Sequence, residues 1–512
     1  MSASRERKKR LAEANEPVVE TKQTKKKISE GWIFAISIVL VLALVFGGIF
    51  AYNAWQRNRT VLTVGEHEID AKEFNYFYNA TATNFFNYAS YLGVDTSIPL
   101  DQQEVTESNA SMLGLVLDTG CLSGITPVDG NYGVTLAQVV ADNAKQMAIE
   151  AYAIYDAAVA AGFAMDEECQ GEVQAEMDNL KMYAAMYGYS DVDELLENNY
   201  GKGCTEETYR QYLEVVHVAQ HYPNEIQYSD AEIAARYDED PQTFDVATLY
   251  VYSTSGSDYV EAAEDGTKPV SGEEEDAEAK AAAEAMANNF DLETKNGKVT
   301  FYTDYTYSQL KNLCGEEAAE WLFGEASTDG TFIKLFNNND SYYVLKLLDK
   351  EAYNTTNLLQ IFIAEDAEDA EPVAGEPTAA QKLDIISAML ESDASRENFL
   401  GLAEKYSSKD VETEVNGLSR GDMSGVSEEA CLWACIEDRA EGDWESFKVD
   451  GGYILLMYVG EGDSYLDGVV NNRLITEWIT EITTAAEAAC GYDEDAAMGA
   501  NVGLVYNQSA NQ

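Results

Sequence analysis

An α+β architecture is expected: a single N-terminal transmembrane helix, a mainly α-helical domain, and two tandem α+β domains. Three observations predict it. The run Trp32 to Tyr52 is apolar throughout, and no Asp, Glu, Lys, Arg or His occurs between Gly31 and Gln56. Apolar residues spaced by three and four dominate as far as Asp238, and at Phe244 the texture changes to the strand-like FDVATLYVY. Finally, Glu316-Glu317-Ala318-Ala319-Glu320-Trp321 matches Glu428-Glu429-Ala430-Cys431-Leu432-Trp433 at a separation of 112 residues.

The apolar run is long enough to cross a hydrocarbon core of roughly 30 Å as a helix. Nine Lys and Arg precede it, from Arg5 to Lys27, and only Arg57 and Arg59 follow closely. Cationic flanks stay on the cytoplasmic side. Residues 1–31 are therefore expected as a basic cytoplasmic tail, 32–52 as a transmembrane helix, and the bulk of the chain as extracytoplasmic, in a single-pass protein of the cell membrane. A cleaved signal peptide would have a shorter apolar core and a small-residue cleavage site, which Phe50-Ala51-Tyr52-Asn53 lacks.

The chain has 512 residues and a formal charge of -58. Beyond the basic tail, 24 basic face 86 acidic residues, a surface that repels phosphate backbones and excludes nucleic acid as a partner. The 32 Tyr, 17 Phe and 6 Trp that accompany this charge argue for folded aromatic cores rather than disorder. Seven cysteines are few and odd in number, so no disulfide framework is expected, and Cys431 and Cys435 read as small buried hydrophobes. No D-x-[DN]-x-[DN]-G loop marks a calcium site.

Residues 60–240 are expected to form the helical domain. Val61 to Asp70 alternates and turns like a short hairpin. A helix then starts near Asp70, a suitable N-cap with Glu73 three positions on, and runs through Phe74, Tyr76, Phe77, Tyr78, Phe85, Phe86 and Tyr88. Its aromatics exceed a single stripe, which makes it either buried or sticky. Gly93 to Gly133 reads as an irregular insertion. Helices follow over Thr135 to Ala161, Glu167 to Tyr187, Val192 to Asn199, Thr205 to Tyr222 and Ser229 to Asp238, with Ser190 and Ser229 as N-caps.

The repeat divides the remainder into domains at 244–352 and 356–462, each opening with a strand and closing with one. A charged linker, about 253–276, lies inside the first. Residues 466–490 form a last helix, and 491–512 a flexible tail.

With these elements in place, VLTVGEHEIDAKEF after an export segment resembles the opening of the SurA/PrsA-type extracytoplasmic foldases. YSDAEIAARYDEDPQTFDVATLYVY is similar to their passage from the helical chaperone domain into a parvulin domain. The second repeat resembles a parvulin prolyl isomerase in the order strand Leu358 to Ile363, helix Thr378 to Leu390, the string Phe399-Leu400-Gly401-Leu402-Ala403-Glu404-Lys405-Tyr406-Ser407, Asn416-Gly417-Leu418, the EEAxxW helix and the strand Gly452 to Leu456. The resemblance implies a folding factor of the peptidyl-prolyl isomerase family that binds unfolded exported polypeptides. The alternative, from another class, is a catalytically silent surface scaffold for a cell-wall or membrane partner.

Parvulins carry a histidine in the first strand and another in the closing strand. Gln360 and Ile454 stand in those places, and the only histidines of the chain are His67, His217 and His221. Catalysis, weak or lost without the pair, would rest on Gln360 as a hydrogen-bond donor and on Met423, Leu418 and Phe447 as an apolar pocket for the proline ring. The cis and trans forms differ by only about 0.5–1 kcal/mol, so a catalyst need only favour the twisted amide. The first repeat lacks the F-x-x-L-A-x-x-Y-S string and reads as a non-catalytic copy.

Other chemistry is not supported. Gly417-Leu418-Ser419-Arg420-Gly421 fits G-x-S-x-G, but no histidine follows it. His217 and His221, four apart on one helix, have a zinc-compatible spacing but neither the Glu of H-E-x-x-H nor an evident third ligand, so no metal and no cofactor are expected. Arg420-Gly421-Asp422 reads as turn chemistry.

Overall fold

The computed structural model describes residues 52 and 54–499, apart from 90, 93, 96, 261–269, 293–297, 327–332, 340, 367–376 and 409–410. The chain divides into two compact units, one of Met1–Tyr222 with Ile482–Gln512 and one of Pro223–Glu481.

The first unit is built on a hairpin of β1 (Thr60–Val64) and β2 (His67–Asp70), which turns through Gly65 at φ +56°. Asp70 then caps α1 (Ala71–Tyr88), accepting from the backbone N–H groups of Lys72 and Glu73 at 2.9 and 3.2 Å. Phe74, Tyr76, Phe77, Tyr78 and Phe85 are all buried, so the aromatic excess of this helix is core and not a sticky face. The region read as irregular holds β3 (Glu104–Thr106), α2 (Glu107–Leu113) and β4 (Asn131–Thr135), with β3 and β4 paired. The strands were hidden because their few residues carry no alternation long enough to see.

Further helices of the unit are α3 (Leu136–Ala161), α4 (Glu167–Tyr187), α5 (Val192–Tyr200) and α6 (Glu206–His221). Their caps are Thr135, Asp166, Asp191 and Thr205, each accepting a first-turn N–H. Ser190 is displaced as a cap by its neighbour Asp191. The stretch after Cys490, expected to be flexible, is folded as far as Gly499. The strand Gly491–Tyr492 pairs with the open edge of β1, Tyr492 lies 5.9 Å from the Phe74 ring, and Ala496 and Ala497 enter the core.

The second unit begins with α7 (Asp230–Glu239), capped by Ser229. It then contains β5 (Val246–Ser255), α8 (Glu273–Asn288), β6 (Lys298–Thr306), α9 (Tyr307–Cys314), α10 (Glu316–Glu320), β7 (Ile333–Asn338) and β8 (Ser341–Asp349). A second series follows: β9 (Asn354–Ala364), α11 (Ala379–Ser392), α12 (Arg396–Tyr406), β10 (Glu414–Leu418), α13 (Arg420–Val426), α14 (Glu428–Cys435), β11 (Trp444–Val449) and β12 (Gly452–Ser464). The sheets run β6-β5-β8-β7 and β10-β9-β12-β11, antiparallel and of the same order.

Equivalent contacts recur. Phe336 pairs across the strands with Tyr343 and packs on Trp321 at 5.5 Å; Phe447 pairs with Ile454 and packs on Trp433 at 5.8 Å. The helix α15 (Tyr465–Ala489) closes the series, and Arg236 of α7 grips its Glu477 through Nη2 and Nε at 3.0 and 3.1 Å.

The expected transmembrane helix requires correction. Among the described residues no helix is long and apolar enough to cross a membrane. The stretch 32–52 itself, save Tyr52, lies outside the described residues, as does the tail 1–31. The described residues have an α+β fold with no membrane-spanning helix among them, and the single-pass membrane placement that rested on that helix is withdrawn. The charged linker at 253–276 also falls partly outside, and its first residues extend β5.

Candidate functional site

Two apolar regions compete for the role of site. The first is the sheet face of the second repeat. Along β9 the side chains alternate: Leu359, Ile361 and Ile363 join a core with Phe399, Leu402 and Ala403 of α12, while Leu358 joins the opposite face. Register places Gln360 beside Leu456 and Phe362 beside Ile454 on that opposite face. There Met423, Phe447, Ile454 and Leu456 form one cluster, with Leu418 packed against it.

The structure thus brings Met423, Phe447 and Leu418 together. It also fills the space between them: Met423 is 3% exposed and Phe447 8%. Gln360 is engaged elsewhere, donating through Nε2 to the Glu412 carbonyl at 2.8 Å, while its backbone N–H bonds Thr413 O at 2.8 Å.

The first repeat seals this region. Phe301 of β6 packs on the Met423 cluster, Tyr250 Oη donates to Glu428 Oε1 at 2.5 Å, and the Thr303 and Ser424 hydroxyls meet at 3.0 Å. Gly421 N–H donates to Asp304 Oδ2, and Tyr353 Oη to Asp304 Oδ1, both at 2.8 Å. Burial raises the Asp304 carboxyl above its ordinary value, against the pull of those two hydrogen bonds.

Arg420, read as a turn residue, opens α13. Only 3% exposed, it pairs with Asp349 of β8 and lies over the Tyr353 ring at 4.0 Å. Ser419 is the cap of the same helix: Asp422 N–H donates to its Oγ at 3.1 Å. Neither a nucleophile elbow nor an exposed adhesion turn exists here.

The second region is open. Between α4, α5 and α6 lies a groove of about 640 Å³, lined by Leu180, Tyr183, Tyr187, Tyr189, Tyr200 and Tyr209, with Glu176, Asn179 and Asn199 at its polar margin. Its floor is continuous with the aromatic core, since Tyr76 of α1 meets Tyr200 and Tyr209 at 5.1 Å each. On α4, at or next in sequence to its lining residues, exposure is high: Met182 54%, Met186 61% and Tyr187 68%.

On α4 these three residues lie at spacings of four and one, which spreads them over a broad solvent-facing strip. Folding has no use for them there. Nothing in the sequence separates this strip from α1, equally aromatic, which the core consumes.

A third constellation lies elsewhere on the same helix pair. Cys169 of α4 and His217 and His221 of α6 present one ligand atom each within 4.8 Å of one another. Glu172, one turn along from Cys169, sets Oε2 3.1 Å from His217 Nδ1 and 2.8 Å from His221 Nε2. Glu176 Oε1 lies 3.4 Å from His217 Nε2. Cys169 is fully buried, and desolvation, then Asp166 and Glu172, push its thiol up. The third ligand that the sequence did not reveal sits 48 residues before His217, where only tertiary packing brings it near.

The chain matches no protein-family model, and no curated protein matches it.

Proposed function

We propose that the chain is a protein-folding factor that holds unfolded or partly folded polypeptides in the groove between α4, α5 and α6, with the two repeats acting as parvulin-like domains without isomerase activity. The observation that carries this reading is the strip of exposed Met182, Met186 and Tyr187 beside a tyrosine-lined groove. Large exposed apolar side chains set together mark interaction surfaces. Methionine adapts to varied partners, and tyrosine offers wide contact with little rotamer entropy to lose. Neither favours one sequence strongly, which suits a client defined by its unfolded state.

The loss of catalysis is supported by the filled face of the second repeat. A proline ring needs an apolar cavity, and Met423, Phe447 and Phe301 occupy that space. The Gln360 amide is committed to Glu412 O, so it is not free to hold a substrate carbonyl.

The test is light scattering of an aggregating client, diluted from denaturant with an equimolar amount of the full chain. Delayed aggregation, weakened in a Met186→Ala/Tyr187→Ala double variant, is the expected result. No delay, or an unchanged delay in the variant, overturns the reading. Binding of one folded partner with no effect on unfolded clients would instead point to a scaffold. A protease-free isomerisation assay on an X-Pro peptide is expected to give the uncatalysed rate.

A further inference from the structure

We propose that Cys169, Glu172, His217 and His221 form a binding site for a single divalent transition-metal ion, Zn²⁺ foremost. This does not depend on the groove being a client site. Three of the four side chains already converge, with the ligand atoms of Cys169, His217 and His221 inside 4.8 Å. Glu172 Oε2 sits between the two ring nitrogens at 3.1 and 2.8 Å, the region a cation would enter.

The donor set selects the metal class. One thiolate, one carboxylate and two neutral imidazoles balance a dication and suit zinc, whereas calcium and magnesium require oxygen ligands. The ligands come in pairs from two helices, Cys169 and Glu172 three apart on α4, His217 and His221 four apart on α6. Such spacings put each pair on one face, a common way to build a site between packed helices.

An outer partner is present too. Glu176 addresses His217 Nε2 at 3.4 Å, which leaves Nδ1 for the metal and fixes the ring. On binding, the Cys169 S–H bond breaks, its proton goes to solvent, and an S–metal bond forms. Glu172 exchanges its two histidine hydrogen bonds for coordination. The ligands draw in to about 2.3 Å for sulfur and about 2.0–2.1 Å for nitrogen.

The ion would clamp the start of α4 to the end of α6. The Tyr183 and Tyr187 wall of the groove lies toward the other end of α4, and Tyr209 toward the start of α6. Metal occupancy would therefore stiffen the helix pair that frames the groove.

The experiment is titration of the chelator-treated full chain with Co²⁺ alone, then with Zn²⁺. One equivalent of Co²⁺ is expected to bind, with intense tetrahedral d–d absorption and a near-ultraviolet thiolate-to-cobalt band, and one equivalent of Zn²⁺ should erase both. Cys169→Ser should abolish the thiolate band, while Cys121→Ser should keep it. His221→Ala, at a partly exposed position that folding tolerates, should weaken binding on the order of 10–100-fold or more. Absence of saturable uptake overturns the proposal. So does equal uptake by His221→Ala, which would reduce the binding to the acidic surface.

Discussion

The sealed face of the second repeat and the open groove of the helical unit are made of the same kinds of residue, methionine, leucine and large aromatics, yet they do opposite work. On the sheet, every apolar side chain of the Met423 cluster has a partner, down to Phe301 supplied by the neighbouring repeat. On α4, Met182, Met186 and Tyr187 stay exposed to solvent. Composition therefore says nothing of which region binds a client; what decides is whether the fold itself uses up the apolar area.

That contrast can be broken experimentally. Its largest expected effect is on stability, at Arg420→Ala, which strips the buried partner from Asp349 and empties the space over Tyr353. Loss of one member of a buried pair costs about 3–5 kcal/mol, read as a lower denaturant midpoint for the second unit. Met423→Ala should cost about 2–5 kcal/mol by leaving a cavity, without altering client holding. If holding fell with Met423, the sealed face would be part of the site after all.

The reverse holds at Tyr187→Ala, where stability should shift by less than about 0.5 kcal/mol while aggregation suppression falls several-fold. The sharper contrast is chemical and depends on pH. Asp304 has a folded-state pKa raised by burial, so it favours the folded state below its unfolded value and loses that contribution as pH rises through the folded one. Wild type should gain stability relative to Asp304→Asn as pH falls from neutral toward the ordinary carboxylate value of 3.8.

Glu477 behaves oppositely: the Arg236 hydrogen bond lowers its pKa, so its contribution is present above the ordinary 4.5 and vanishes as pH falls through the lowered value. The pair is partly exposed, and Glu477→Gln should cost only about 0.5 kcal/mol at neutral pH.

Helices were legible wherever period and cap agreed. The sequence placed α4 at Glu167 to Tyr187 and put α6 and α7 within two residues, because Thr205 and Ser229 announce their starts. The F-x-x-L-A-x-x-Y-S string has a plain physical content: Phe399, Leu402 and Ala403 fall on one helix face and fill the core against β9, and Ser407 Oγ accepts from Phe362 N–H at 3.2 Å. It is a packing signature and carries no information about catalysis.

What stayed hidden depends on distance along the chain. Nothing near Gln360 announces that its amide will turn to Glu412, and nothing near Arg420 announces Asp349. The groove stayed hidden as well, since nothing near Tyr183 and Tyr187 announces their partners Tyr200 and Tyr209. Of the Cys169 constellation only the His217 and His221 spacing was visible, because its other half lies on a helix that meets theirs only in the folded unit.

The pairing of β1 with Gly491–Tyr492 has a consequence in time. Arg59 and Asp493, joined at 2.7 Å beside that pairing, are 434 residues apart, with the whole second unit inserted between them. At a synthesis rate of about 5–20 residues per second, the edge of β1 and the core beneath Phe74 wait on the order of 20–90 s for the segment that covers them. Within the inserted unit the sheet of β5 to β8 is complete by Asp349, well before that segment emerges, although the unit itself ends only at Glu481. The N-terminal part of the chain is thus the last to be finished, and for that interval this protein presents the same unsatisfied edge and uncovered aromatics as any nascent polypeptide.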